Sequence, residues 1–179
     1  MEKPASSLLL GFAIIIFFFW PSQSIEQRSS NDTATETQTY LIIDKLSLRA
    51  PIVEASENSE EAIQTTLKRG VVHLPDTAKL GELGNYYLVG HSSDYPWSDG
   101  EYPDVFARLP ELALGNEVLI ETANQTFVYV VIKTLVVPKN DLTVLSQDTS
   151  GRRLLTLQTS YPVGTADKRF LVIAQLQEK

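Results

Sequence analysis

Leu154-Leu155-Thr156-Leu157-Gln158-Thr159-Ser160-Tyr161-Pro162 is the stretch on which the reading of this chain turns, with Lys168-Arg169-Phe170 just beyond it. A run of strand-forming residues ends in a serine and a Pro-containing turn, and a second run follows at once. Upstream, Tyr86-Tyr87-Leu88-Val89-Gly90 makes a third run that ends in His91. A hydroxyl nucleophile, an imidazole and a guanidinium are thus each expected at a strand end, where a rigid scaffold presents side chains to a loop-lined site.

The surrounding pattern is of short β runs broken by turn residues. Working outward from Thr39, the runs are Tyr40 to Ile43, Leu46 to Val53, Val71 to Leu74, Tyr86 to Gly90, Glu117 to Thr122, Thr126 to Val137, Leu154 to Thr159 and Phe170 to Leu176. Pro51 interrupts the second and predicts a sheet edge or a bend. Glu60 to Lys68 is the one main helix, with Ser59 as N-cap, Glu60 and Glu61 at the positive end of its dipole, and Ala62, Ile63 and Leu67 as its core stripe. Asp104 to Leu109 reads as one or two helical turns. About eight strands, one helix and no βαβ rhythm predict a mostly β, closed or nearly closed antiparallel barrel.

Composition narrows the function. The chain has 179 residues, 43% of them hydrophobic, enough for one packed domain plus an accessory segment. Its net charge of −7 argues against a nucleic-acid partner. It contains no cysteine, which rules out disulfides, thiolate metal sites and a cysteine nucleophile. Leu8 to Trp20 is apolar throughout apart from Gly11, which suits either a signal peptide cleaved near Ser22-Gln23-Ser24 or an uncleaved anchor. Either reading exports the chain from the cytoplasm. The expected organisation is therefore an anchor or signal peptide over residues 1–20, a flexible polar spacer over 21–38 and a β domain over 39–179.

Four separated blocks resemble the sortase family. They are Gly70-Val71-Val72-His73-Leu74-Pro75; Gly84-Asn85-Tyr86-Tyr87-Leu88-Val89-Gly90-His91; Leu109 to Glu121, with its Leu-x-x-Gly-x-x-Val-x-Ile-Glu-Thr flow; and Leu155 to Pro162 followed by Lys168-Arg169-Phe170. The resemblance runs from Thr39 to the C-terminus. Short loops around the last two strands look more like class D or E sortases than class B. It implies an eight-stranded sortase-type β-barrel with one main helix and short helical turns, preceded by the N-terminal apolar segment. It also implies a single-pass protein of the cell membrane with its catalytic domain outside the cytoplasm. Its partners would be a C-terminal sorting peptide of the Leu-Pro-x-Thr-Gly kind and an amine acceptor of cell-wall or pilin type, and no cofactor is implied.

Carried over by position, His91 resembles the family histidine, Arg169 the family arginine, and Ser160 stands where the family has its cysteine. In that scheme His91 is the general acid for the leaving amine, residue 160 the nucleophile and Arg169 the stabiliser of the tetrahedral intermediate. Oxygen in place of sulfur matters. A thiol ionises readily beside an imidazolium, whereas a serine hydroxyl needs a well-oriented base held by a third group. No carboxylate in the sequence assigns itself to His91; Asp94 and Asp99 both fall in the loop after it. The expectation is a site that binds peptide and turns it over weakly or not at all. Beside it stand a natural non-catalytic domain that binds sorting-type peptides or surface proteins, and a substitution introduced to trap substrate.

The remaining candidates carry two readings each. Thr159 either lends its backbone to an oxyanion site or is only a strand residue. Tyr95, Trp97 and Tyr102 are either a hydrophobic wall for a peptide or loop packing. His73 reads as structural. No ligand spacing supports a metal site at the two histidines, and Glu82, Asp141 and Asp148 are too dispersed for calcium.

Overall fold

A computed structural model describes residues 38–93 and 99–178 of the chain. The expected anchor or signal peptide, nearly all of the spacer, and Tyr95 and Trp97 lie outside these residues. Among the described residues no helix is long and apolar enough to cross a membrane.

Eight strands close into a barrel: β1 (Thr39–Ile43), β2 (Leu48–Glu54), β3 (Val71–His73), β4 (Gly84–Val89), β5 (Glu117–Glu121), β6 (Thr126–Pro138), β7 (Arg153–Tyr161) and β8 (Lys168–Leu176). Their order around the barrel is β1-β2-β3-β4-β7-β8-β6-β5, with β5 returning to pair with β1. Two pairs are parallel, β2 with β3 and β4 with β7. Parallel neighbours need a long connection. The first is bridged by α1 (Glu60–Leu67) and the second by the whole β5–β6 hairpin.

Closure explains the strand pattern. Alternate residues of each strand enter the barrel, and Leu41, Ile43, Leu88, Val118, Ile120, Leu155, Leu157, Val172 and Ala174 are all fully buried in one cluster. The opposite face of β4 and its neighbours is covered as well. Tyr87, Leu74, Val137 and Leu171 form a second cluster there, against which Ile63 of α1 packs. That double burial is why Tyr86 to Gly90 reads as a near-continuous apolar run. It also places α1 over the face on which β4 ends.

The α1 terminus is set as its sequence predicts, with the Ser59 hydroxyl accepting the Ala62 N–H at 3.2 Å. Pro51 departs from the edge reading. β2 is not an edge, since both its sides are paired; the ladder to β3 begins at Ile52, one residue past the proline. The missing N–H is therefore placed where β3 asks nothing of it. The helical turns expected from Asp104 to Leu109 are present, with the Ala107 N–H donating to the Asp104 carbonyl at 2.8 Å and the Leu109 N–H to the Phe106 carbonyl at 3.0 Å, and they run on into a short 3-10 helix at Leu109–Glu111.

Candidate active site

β7 runs through Ser160 to Tyr161, two residues further than the sequence pattern suggests, so Ser160 is a strand residue with a cross-strand partner. That partner is Arg169 of β8, directly opposite. Side chains facing each other across an antiparallel pair are held within reach. Here Arg169 Nη1 lies 3.5 Å from Ser160 Oγ and also donates to the carbonyls of Ala166 at 3.2 Å and Lys168 at 3.1 Å. The turn between the strands therefore orients the guanidinium beside the hydroxyl.

His91 arrives from the other side. The β4–β7 register sets Val89 opposite Gln158, and the Gly90 N–H donates to the Gln158 carbonyl at 3.1 Å. His91 and Ser160 each lie two residues beyond that pair, on strands running the same way. Thr159, only 1% exposed, clamps the junction: its hydroxyl donates to the Gly90 carbonyl at 2.8 Å. The His91 carbonyl in turn accepts the Phe106 N–H at 2.8 Å. Thr159 thus acts in the structure through its side chain, as a brace for the histidine-bearing strand end.

The three side chains meet in one cleft of about 170 Å³. Its walls include Ile63 and Leu67 of α1, Leu74, Val89, Gln158 and Thr159, together with His91, Ser160 and Arg169. An apolar floor with a few convergent polar groups is the ordinary make-up of a ligand site. Glu60 and Gln158 are among the further polar residues that line it. Glu60 brings a carboxylate, its Oε1 accepting the Gln64 amide at 2.8 Å. Gln158 is gripped from beneath by the Tyr87 hydroxyl, which donates to its Oε1 at 2.7 Å. Burial pushes the Tyr87 phenol well above its ordinary range, so it stays protonated. The period-2 alternation of β7 put Gln158 on the Ser160 face and was visible in the sequence; the Tyr87 contact needed the β4–β7 register.

Asp99 is turned elsewhere. It accepts from Lys68 Nζ at 2.6 Å, and that ammonium holds its carboxyl below the usual range. Asp94 lies outside the described residues. Tyr102 packs against the barrel core, which favours the loop-packing reading for that ring. His73 is 7% exposed and fully engaged: Nδ1 is 2.6 Å from Glu54 Oε2, Nε2 is within 3.0 Å of Thr77 Oγ1 and 3.1 Å of the Ala78 carbonyl, and Tyr86 stacks at 4.3 Å. These contacts tie β2, β3 and the following loop together. A larger hollow of about 810 Å³ opens beside His73, and none of its lining residues is shared with the cleft. Among the described residues no group of three or more carboxylate, histidine or cysteine side chains is placed to hold a metal ion.

Comparison with known proteins follows the same lines. The Sortase domain family model matches residues 41–177. The chain is similar to Sortase D of Bacillus subtilis (strain 168), 27% identical over 165 residues, covering 85% of this chain and 75% of that one. Among solved structures, the Clostridium perfringens sortase D5 transpeptidase aligns with a TM-score of 0.63 at 25% identity, covering 79% of each chain. Sortase C1 of GBS Pilus Island 1 aligns with a TM-score of 0.66 at 24% identity; 79% of this chain is matched, and it spans 64% of the sortase C1 chain.

Proposed function

The chain belongs to the sortase family, and from that premise we propose that its cleft receives a C-terminal sorting signal of the Leu-Pro-x-Thr-Gly kind and that residue 160 is its acyl-accepting position. The observation that carries the reading is the Ser160–Arg169 cross-strand pair, in one cleft with His91. In the reaction, the atom at position 160 attacks the scissile carbonyl. The Arg169 guanidinium, already beside that atom, stabilises the developing oxyanion. His91 protonates the departing amine. A second amine, of cell-wall or pilin type, then displaces the acyl group and regenerates the nucleophile. No step calls on a cofactor. The same reading has the Leu8 to Trp20 segment hold the domain at the outer face of the cell membrane.

Ser160 sets the rate. A thiol of ordinary pKa about 8.5 is drawn into its anionic form by a neighbouring cation. A hydroxyl gains little from the same cation and must pass its proton to a base during attack. Asp99, which follows His91 in the sequence, is engaged by Lys68. The native chain therefore binds sorting peptides and acylates slowly; retention of binding without turnover is the second reading, favoured by the same oxygen.

The test is to incubate the full chain and its Ser160→Cys variant with sorting peptides and an amine, and to follow acyl adducts by mass spectrometry. Cysteine is expected to restore adduct and transfer product. Turnover by the native chain that cysteine does not improve would refute the claim that oxygen disables the site. Absence of both binding and adduct in both forms would refute the peptide-processing reading itself.

A further inference from the structure

Gln158 and Ser160 are two residues apart on β7, so their side chains leave the same face of the strand about 7 Å apart along it. Both line the cleft. The Gln158 amide has a fixed orientation, because its oxygen accepts from the Tyr87 hydroxyl and Tyr87 is fully buried. Its nitrogen is therefore the end left for the cleft. That Nε2 makes no hydrogen bond among the described residues, yet it is not a buried, unsatisfied atom, since none exists there. It is a donor that keeps some solvent access, locked by its neighbour and without an acceptor among the described residues.

We infer that the Gln158 amide is a substrate-positioning group that donates to a main-chain carbonyl of the bound peptide, two residues N-terminal to the scissile carbonyl held at Ser160. In an extended peptide, carbonyls two residues apart point the same way and repeat at about 7 Å, the spacing of the two side chains. In a Leu-Pro-x-Thr-Gly signal, that carbonyl belongs to the proline. A donor in the wall asks only for a carbonyl there, so the absent N–H of proline goes unmissed. The apolar floor formed by Ile63, Leu74 and Val89 suits the leucine and proline side chains of the same half of the signal. The inference rests on the sortase reading above and adds the contact that sets the peptide in register.

The test pairs a protein change with a peptide change. Gln158→Glu keeps the shape and the acceptor for Tyr87 but removes the donor. A peptide with a trans-alkene in place of the proline carbonyl removes the acceptor. Peptide Kd is measured by fluorescence anisotropy on the full chain, and acylation kcat/KM in the Ser160→Cys background. Gln158→Glu is expected to weaken the parent peptide about tenfold, the worth of one hydrogen bond in a site, through KM rather than kcat. The alkene peptide is expected to lose as much on the native chain and nothing further on Gln158→Glu. Tyr87→Phe, which frees the amide to turn over, is expected to weaken the parent peptide about threefold. Melting curves establish that each variant is folded, and an unfolded Gln158→Glu leaves Tyr87→Phe and the alkene peptide on the native chain to decide. Equal affinity of Gln158→Glu and the native chain for the parent peptide, or losses that multiply, would overturn the inference while leaving acylation by Ser160→Cys intact. Failure of any peptide to bind or acylate would overturn the sortase reading and this inference together.

Discussion

Gly90→Ala is the perturbation through which the built geometry of the cleft is most directly measured. A Cβ at Gly90 would lie 2.5 Å from Phe106 Cδ2 and 2.9 Å from its Cε2 and Cγ. Carbon atoms in contact sit about 3.5–4.0 Å apart, so the overlap is about 1 Å. Neither partner yields easily. The Phe106 ring is fully buried in the barrel cluster. The Gly90 backbone is pinned at both ends, its N–H on Gln158 and its carbonyl under the Thr159 hydroxyl. Overpacking of this kind costs about 1–3 kcal/mol, or about 2–12 °C of unfolding temperature for a domain of this size. Whatever moves, the His91 end of β4 moves with it. The assay is thermal unfolding of Gly90→Ala, Phe106→Leu and the double variant, with adduct formation followed in the Ser160→Cys background. The double variant is expected to recover at least about 1 kcal/mol relative to the sum of the singles, and some of the lost reactivity. An unchanged midpoint for Gly90→Ala, or strict additivity in the double, would refute the claim that the glycine exists to admit the ring.

Other outcomes follow from buried groups. Tyr86, Tyr87 and Tyr129 are at most 4% exposed, and burial raises all three phenols, Tyr129 to about 12. A proton held more tightly in the fold than in the unfolded chain stabilises fully below the unfolded pKa of about 10, and that contribution falls as pH rises towards the folded pKa. Each tyrosine is expected to remove about 1.4 kcal/mol by pH 11, read as falling urea midpoints from pH 9 to 11, with Tyr87→Phe taking away about a third of the slope; flat midpoints would contradict this. Thr159→Val keeps the shape but strips the Gly90 carbonyl of its hydroxyl donor; a loss of about 1–3 kcal/mol in chemical denaturation is expected, and a neutral result would show that the brace is dispensable. Gly70→Ala places a Cβ 2.4 Å from the Pro51 carbonyl oxygen, backbone against backbone, and is expected to yield little soluble folded protein; normal yield and midpoint would show that the β2–β3 junction is slacker than drawn.

Much of the barrel was legible because its strands are short, punctuated and β-branched. The clearest failures come from closure. Pro51 predicts an edge or bend in a sheet that can have edges, and a closed barrel has none; the proline is accommodated by register instead. Ser160 reads as a strand end because Pro162 follows it, yet Arg169 pairs with it and Lys168 continues the ladder to Tyr161. At the site, Ser160, His91 and Arg169 were singled out from their blocks, and the cleft brings them together. Gln158 was overlooked although its face followed from alternation alone. The Tyr87 hydroxyl beneath it, and Glu60 in the same cleft, come from elements far apart from it in sequence. Only the order of strands makes such pairs neighbours.

That order has a consequence for how the molecule comes into being. β8 lies between β6 and β7, and β7 reaches β4 by skipping the intervening hairpin. The β4–β7 pairing that brings His91 beside Ser160 is long-range, and contacts of that kind slow folding, whereas Ser160 and Arg169 face each other across the short β7–β8 hairpin. Until β7 docks beside β4, the hairpin that carries Ser160 and Arg169 lies apart from His91, and the three side chains share no cleft. The cleft is therefore assembled in two parts, a local hairpin that pairs Ser160 with Arg169 and a long-range contact that adds His91.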